Sequence, residues 1–448
     1  MNGVANEITA TEEFGMAAIS ERENRQIEAA NSSGNTPVVV IHGPWLLPSS
    51  WDSWGQLFSL PRVLPLPLSV LKGIGPFLIN PRTRRRAITL TFHQFRYGWA
   101  ASRACVRAIL TICACQEILD SMELTFYGLR ESAPGPRWQA LYDATWPAYR
   151  AWYLSEGTGV RPSRQIATNM LRHHMPELMP TWERLVELSG GDDDTARMLT
   201  LYDPPRFLPG CSQAVLTGDE PLLVRNYDYR PDLCERVVYS SQFTGRRVIG
   251  SGDCLWGLVD GMNDAGLVVS LAFGGRPGSG PGFGIPLVVR YLLEVAETLT
   301  DVRTVLQRVP VHMAYNLTVL DRAGQAATLY VAPQTEPQVF PLPAATNHRG
   351  LTPDWPEHAQ RFRSVSRQRH LLDLLHSAPE PDDLVAAFLQ PPLYNTDYAG
   401  GFGTVYTAAY RPDRGAVEYH WPDSVWRRTF DTPDGTHQAV LGEPARPT

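Results

Sequence analysis

The stretch FLPGCSQAVLTGDEPLLVRNYDY, residues 207–229, decides how the fold is predicted. Within it, Cys211 follows Gly210 directly and comes before two short runs with the residue pattern of strands. The second run carries Arg225 and Asp228, three residues apart. A thiol must be activated before it attacks a carbonyl, because the pKa of a free thiol is about 8.5. The stretch therefore raises the question of what activates Cys211.

Cleavage of its own chain would activate Cys211. No histidine lies within 35 residues of it in the sequence, so an imidazole base would have to come from elsewhere in the fold. If the bond between Gly210 and Cys211 were cut, Cys211 would gain an α-amine with a pKa of about 7.7–8, which can accept the proton of its own thiol. Glycine suits position 210, because a residue without a Cβ tolerates the strained turn that such cleavage needs. Two routes of activation therefore stay open at this point: a histidine that folding brings close, and cleavage of the bond between Gly210 and Cys211.

The spacing of apolar residues predicts an α+β fold. From about residue 100 to 200 the spacing is helical, and after Cys211 it changes to a period of two. Helices are predicted again at 284–308 and 357–376. Strands are predicted at 214–218, 222–228, 236–240, 246–251, 267–273, 315–321, 326–332 and 402–410. Strands and helices in separate blocks favour stacked sheets over a βαβ array.

The composition excludes several classes of protein. The net charge of −6 gives no electrostatic footprint for nucleic acid. The 40 basic residues include one lysine, Lys72, whose surroundings fit no pyridoxal-phosphate, P-loop or kinase motif. The six cysteines show no zinc-binding spacing, and the first residues do not read as a signal peptide. We therefore expect a cytoplasmic protein that binds no nucleic acid, membrane or metal.

Five motifs in a fixed order resemble the penicillin acyltransferase family, which is similar to penicillin V acylases and bile salt hydrolases. They are GCSQAV (210–215), VRNYDY (224–229), DGMNDAGL (260–267), YNLTVLD (315–321) and TNHR (346–349), and the resemblance covers roughly residues 105–430. It implies a self-cleaving N-terminal-nucleophile (Ntn) hydrolase with a four-layer αββα sandwich. It also implies an N-terminal extension at 1–100, a helical α-subunit region at 101–210 and a β-subunit region at 211–448.

The same resemblance implies roles for four residues. Cys211 matches the nucleophile, and Asp228 matches the aspartate that orients the new amine. Arg225 matches a basic residue, and Asn316 matches an asparagine whose N–H supports the oxyanion, a donor that does not titrate. Two other interpretations stay open, namely that Arg225 and Asp228 form a surface pair and that Asn316 is a polar strand residue. Alternate strand residues face opposite sides, so Arg225 and Asp228 share a site only if the strand twists or ends there.

Three further features lie near these motifs. Trp256, Phe273 and Phe283 suggest an apolar acyl pocket, although aromatic residues at such spacing are also typical of a core. DGMNDAGL is interpreted as a structural turn. SRQR at 366–369 lies where family members carry a Ser-x-x-Arg pattern.

The N-terminal extension resembles a truncated α/β-hydrolase. PVVVIHGPWLLPSSWDSW (37–54) looks like the opening of that fold, and residues 67–100 are similar to one of its lid segments. The fold needs a Gly-x-Ser-x-Gly elbow, and no serine here has glycine at both positions. We therefore predict a non-catalytic segment. An α/β-hydrolase-type esterase and a non-catalytic protein with an Ntn fold are the rival interpretations.

The predicted reaction is acyl transfer through a covalent acyl-enzyme. The Cys211 thiolate attacks an amide or thioester carbonyl of a small molecule, and water or an amine then accepts the acyl group. This chemistry needs no metal or redox cofactor, and a coenzyme A thioester is left open as a co-substrate. Self-cleavage would make the protein an α/β heterodimer.

Overall fold

The computed structural model describes residues 122–398 and 400–442. Its strands are β1 (Met122–Glu131), β2 (Gly210–Leu216), β3 (Leu222–Tyr229), β4 (Val237–Ser241), β5 (Val248–Asp253), β6 (Gly257–Asn263), β7 (Val268–Phe273), β8 (Tyr315–Leu320), β9 (Ala326–Ala332), β10 (Thr335–Phe340), β11 (Ala344–Ala345), β12 (Thr396–Asp397), β13 (Phe402–Arg411), β14 (Ala416–Trp421), β15 (Ser424–Thr429) and β16 (Gly435–Leu441). Its α-helices are α1 (Pro136–Tyr153), α2 (Arg164–His174), α3 (Met179–Leu188), α4 (Asp193–Met198), α5 (Ile285–Val295), α6 (Leu299–Arg308), α7 (Pro356–Arg361), α8 (Ser364–His376) and α9 (Pro381–Phe388).

The strands form two sheets. One has nine strands in the order β10-β9-β8-β7-β6-β5-β4-β1-β16. The other has the order β11-β2-β3-β13-β14-β15, with β12 paired to β13. In the nine-stranded sheet, β1 runs parallel to β4 and antiparallel to β16. The segment before Cys211 therefore contributes a strand to the interior of a sheet built mainly from residues after Cys211.

The two sheets face each other and each is covered by helices. Strand β2 of one sheet contacts β7 and β8 of the other, while α5 packs on β5, β6 and β7. Helix α8 packs on β2 and β11, and α9 packs on β3. The apolar contacts under α8 and α9 come from a cluster of buried residues: Ala214, Leu222, Val224, Ala344, Leu371, Leu384, Val385, Phe388, Leu393 and Ala409. The predicted αββα sandwich is confirmed.

Two predicted elements differ from the structure. The interval from about 100 to 200 was expected to be helical, yet Met122–Glu131 forms a strand whose buried side chains alternate with exposed or half-buried ones. DGMNDAGL was interpreted as a turn, yet its first four residues complete β6, and the bend follows at Gly266 with a φ of +85°. Asp260 and Asn263 are tolerated in a buried strand because their polar groups are hydrogen-bonded.

The remaining predictions on chain organisation concern residues outside the described part. The N-terminal extension at 1–100, with its resemblance to an α/β-hydrolase, lies there, and so does the stretch from 101 to 121. Among the described residues, no helix combines the length and the hydropathy that a membrane span requires.

Candidate active site

Cys211 lies in β2, opposite Tyr227 of β3, and is fully buried. Its Sγ accepts a hydrogen bond from Arg225 Nη2 at 2.8 Å. Its backbone N–H donates to Asn347 Oδ1 at 3.1 Å, and its carbonyl accepts from Arg367 Nη1 at 2.7 Å. The thiol, the amide and the carbonyl of one residue are therefore each held by a different polar side chain.

Arg225 and Asp228 lie on opposite faces of β3, the strand that pairs with the strand of Cys211. Strand β3 continues without a break from Leu222 to Tyr229, so the alternation of side chains is kept. Arg225 faces the nine-stranded sheet, where it binds Asp260 at 2.6 Å. Asp228 faces α8, where it lies 3.4 Å from Arg367. Both are buried and they pair with different partners, which excludes the interpretation as a surface pair.

Asp228 is held as a buried acceptor beside the Gly210–Cys211 bond. It lies opposite Gly210 in the sheet register. Its carboxylate accepts hydrogen bonds from Thr404 Oγ1 at 2.7 Å and from Asn395 Nδ2 at 3.4 Å. Burial raises the pKa of Asp228, while Arg367 and these donors lower it. In the intact chain, the Cys211 N–H is bound to Asn347 and not to Asp228.

Arg367 is the central donor of the site, and sequence reasoning missed it. Besides Asp228, its guanidinium binds the Cys211 carbonyl, Ser212 Oγ at 2.7 Å and Asn347 Oδ1 at 2.8 Å. Burial lowers its pKa. The Ser-x-x-Arg pattern was placed at 366–369, where Arg369 is exposed. The same pattern also occurs two residues earlier, as SVSR at 364–367, where it ends at the buried Arg367.

Asn347 and Asn316 form a second polar layer at the site. Asn347 Nδ2 donates to the carbonyls of Pro209 at 3.2 Å and Phe273 at 3.4 Å. Asn316 Nδ2 donates to the carbonyls on either side of Asn347, those of Thr346 and His348, at 2.9 and 2.8 Å. Asn316 thus holds the backbone that presents Asn347. Its predicted role as an oxyanion donor stays a prediction, and both of its N–H groups are bound elsewhere here.

Gly210 fits a place that admits no side chain. A Cβ at this position would lie 2.4 Å from the ring of Phe402 and 3.0 Å from Asp228 Cβ. The Phe402 ring also packs edge-on against Phe362 at 4.8 Å, and its other contacts include the guanidinium of Arg367 at 5.0 Å. The glycine before Cys211 is therefore required by close packing.

The three predicted pocket residues are completely buried. Trp256 donates from Nε1 to the Leu199 carbonyl at 2.9 Å, and Phe283 packs against Tyr202 at 5.2 Å. Phe273 is joined to the site through its carbonyl, which Asn347 binds. In the intact chain all three belong to the main apolar core, and their role as a substrate pocket stays a prediction.

The electrostatics of the site keep the thiol protonated in the intact chain. Burial raises the pKa of Cys211 to about 12, and Asp228 adds to the rise. Arg225 and Arg367 oppose it, because a positive charge stabilises a thiolate. The buried thiol therefore lies between two cations that favour its charged form and a burial cost that outweighs them.

Behind Tyr227, two buried carboxyl groups share one hydroxyl. Tyr149 OH lies 2.6 Å from Glu235 Oε1 and 3.1 Å from Asp253 Oδ1, while Tyr227 OH donates to Asp253 Oδ2 at 3.2 Å. One hydroxyl hydrogen cannot satisfy two carboxylates. Burial, together with the charge of Asp253, raises the pKa of Glu235 to about 8, and burial raises that of Asp253 to about 6.

We expect this pair to make the fold less stable as the pH rises through neutrality. The folded chain retains protons that the unfolded chain releases near pH 4, so the free energy of unfolding falls as the pH rises from about 4 to about 8. Glu235→Gln should weaken that fall, because the amide carries no charge at any pH. Thermal unfolding of the wild type and of Glu235→Gln between about pH 5 and 8.5 measures this pH dependence of stability. Melting curves that shift in parallel for both proteins would contradict the assignment.

Comparison with known proteins agrees with the resemblance in the sequence. Residues 215–426 match the model of the family described as acyl-coenzyme A:6-aminopenicillanic acid acyl-transferase. The resemblance to the penicillin acyltransferase family is confirmed. The part that matches this family contains Arg225, Asp228, Asn316, Asn347 and Arg367, and it begins just after Cys211.

Solved structures with similarity to the chain include an acylase and a hydrolase. Penicillin V acylase from Agrobacterium tumefaciens is 14% identical, with a TM-score of 0.34, over 51% of this chain and 90% of its own. A conjugated bile acid hydrolase from Clostridium perfringens is 11% identical, with a TM-score of 0.32, over 51% of this chain and 96% of its own. No curated protein matches the chain significantly.

Proposed function

We propose that the protein is a self-processing cysteine Ntn enzyme, an amidohydrolase or acyltransferase acting on an amide or an acyl thioester. The observation that carries the proposal is the 2.8 Å contact between Arg225 Nη2 and Cys211 Sγ beside a glycyl–cysteine bond. A buried cation aimed at a sulfur stabilises the thiolate that both cleavage and turnover need. The penicillin acyltransferase match supports the same class of reaction.

The proposed cleavage begins with addition of the Cys211 thiol to the Gly210 carbonyl. The C–N bond then breaks, the amine leaves with a proton, and Gly210 becomes a thioester of the Cys211 sulfur. Water hydrolyses this thioester, so that Gly210 ends as a carboxylate and Cys211 regains its thiol. The new amine then serves as the base for its own thiol.

Cleavage would also give Asp228 its predicted partner. Asp228 lies across from Gly210, and its Cβ together with the Phe402 ring closes off the space beside that glycine. Departure of the Gly210 carboxylate leaves the new ammonium of Cys211 as the nearest cation on that strand. A hydrogen bond from it to Asp228 would fix the amine relative to the sulfur.

In turnover, the thiolate attacks the substrate carbonyl and forms an acyl-enzyme, which water or an amine then resolves. The tetrahedral intermediate needs a fixed donor. We propose Asn347 for this role, with Asn316 as the alternative from the sequence. Asn347 Nδ2 already binds the carbonyl of Pro209, next to the scissile bond, and separation of the upstream end would release this N–H for a substrate.

The two pieces would remain together after cleavage. Strand β1 belongs to the upstream piece, yet it lies between β4 and β16 of the downstream piece. Helix α1 adds a hydrogen bond from Trp138 Nε1 to the Leu255 carbonyl at 2.9 Å. We therefore propose a heterodimer of residues 1–210 and 211–448 that dissociates only when it unfolds.

Intact mass spectrometry of the purified protein tests the proposal. Under denaturing conditions we expect two masses, for residues 1–210 and 211–448, and under native conditions one mass equal to their sum plus any water retained. Cleaved protein is then assayed on N-acyl amides and acyl thioesters, coenzyme A thioesters included, with and without an added amine. Formation of the N-acylated amine distinguishes acyl transfer from hydrolysis. One uncut mass together with no turnover would exclude the proposed function.

A further inference from the structure

Asp260 is a buried carboxylate with four donors around it. It lies in β6 and has no exposed surface. Arg225 Nη1 donates to Oδ2 at 2.6 Å and Tyr406 OH donates to the same oxygen at 2.7 Å. Ser251 Oγ donates to Oδ1 at 2.7 Å, and Tyr410 OH donates there as well. Donors on both oxygens fix the carboxylate in position.

The guanidinium of Arg225 is held on its edge and on its faces. One nitrogen, Nη1, is bound by Asp260 and by the Val259 carbonyl at 3.3 Å, both on β6. The rings of Tyr227 and Tyr406 lie against the guanidinium, with centroids 4.8 and 5.9 Å from its central carbon. The group is planar, so fixing Nη1 also fixes the direction of Nη2. That direction leads to the Cys211 sulfur.

A charge this deeply buried depends on its partner. An unpaired guanidinium in the interior would cost several kcal/mol and would attract water or move toward the surface. The carboxylate of Asp260 offsets that cost at Nη1, while the thiol contacts the other terminal nitrogen, Nη2. The position of Asp260 therefore decides where the positive charge of Arg225 lies relative to the sulfur.

We propose that Asp260 is a positioning residue for the reaction of Cys211, acting through Arg225. It touches neither the sulfur nor the scissile bond, and it holds the guanidinium so that Nη2 meets the developing thiolate. The assignment rests on the proposed function of Cys211 as the nucleophile. A purely structural ion pair would affect the stability of the fold and leave kcat of the folded protein unchanged.

A double-mutant cycle on cleaved protein tests the assignment. Asp260→Asn and Arg225→Gln are each expected to lower kcat by about 10-fold or more, with KM changed less than about threefold. If Asp260 acts through Arg225, the double variant should be no slower than Arg225→Gln, since the interaction is already lost. Each rate is divided by the fraction of cleaved protein, which intact mass spectrometry measures. If the decreases in kcat of the two single variants multiply in the double variant, the proposal is overturned.

A second buried ion pair in the same chain supplies the control. Arg290 and Glu294 lie 3.4 Å apart on α5, both side chains without exposed surface. Glu294→Gln should lower the melting temperature without changing kcat of the folded protein. If Asp260→Asn does not fold, Asp260→Glu keeps the charge and moves it by one methylene, and a loss of kcat is still expected. Full kcat in a folded, cleaved Asp260 variant overturns this proposal alone, whereas an inactive, uncut wild type overturns the proposed function.

Discussion

Cys211→Ala is expected to leave one uncut chain with no turnover. The substitution removes the sulfur that Arg225 contacts, and with it the group that would attack the Gly210 carbonyl. Nothing else in the strand changes, because an alanine side chain fits where the cysteine lies. Denaturing mass spectrometry should show a single species of all 448 residues, and the amide and thioester assays should show no product.

Cys211→Ser is the sharper form of this test. Its hydroxyl can attack in principle, but it is a much weaker nucleophile than a thiol, so cleavage should be slow or absent and turnover nearly lost. N-terminal sequencing of the wild type should read Cys-Ser-Gln-Ala-Val from the second piece. An active wild type that lacks this sequence would refute cleavage at Gly210–Cys211.

Asn347→Ala carries the second large expected effect. Loss of a preorganised donor to the tetrahedral intermediate lowers turnover by about 10²–10³. Because the donor acts on the transition state, KM should change far less than kcat. The measurement is steady-state kinetics on the cleaved fraction, since Asn347 also binds the Cys211 N–H and so affects processing.

Asn316→Ala is the companion variant. If Asn316 holds the backbone around Asn347, its loss should lower turnover less than the loss of Asn347 itself, and Asn316→Ala combined with Asn347→Ala should add little. A larger loss at Asn316 than at Asn347 would make Asn316 the main oxyanion donor, as the sequence alone suggested.

The strand pattern after Cys211 predicted much of the fold because buried strands there are rich in β-branched and aromatic residues. Strand β1 was not predicted, since the residues before it have helical spacing and strand propensity depends on neighbours. Strands β14 and β15, at one end of the smaller sheet, were also missed. Both carry charged residues, such as Glu418 and Arg427, and β15 is the edge strand.

The candidate site was predicted where its residues lie in one motif, and missed where folding brings them together. Cys211, Arg225 and Asp228 belong to one hairpin, so local sequence identifies them. Arg367 lies 156 positions from Cys211, and nothing in its local sequence separates it from Arg369. Only burial does so, because a helix turns the two residues to different sides. Asp260 was taken for a turn residue for the same reason, as its partner Arg225 is on another strand.

The position of β1 in the nine-stranded sheet has a consequence for how the protein folds and refolds. During synthesis, β1 reaches its slot between β4 and β16 as part of one continuous chain, so assembly of the sheet is unimolecular. If the chain is cut as proposed, β1 can return to this position after unfolding only when two separate molecules meet, at a rate set by their concentrations. Refolding of the two pieces would then depend on protein concentration, whereas folding of the single chain does not. The lifetime of the proposed heterodimer would therefore be set by how slowly β1 leaves the sheet, which depends on the unfolding barrier and not on the folding equilibrium.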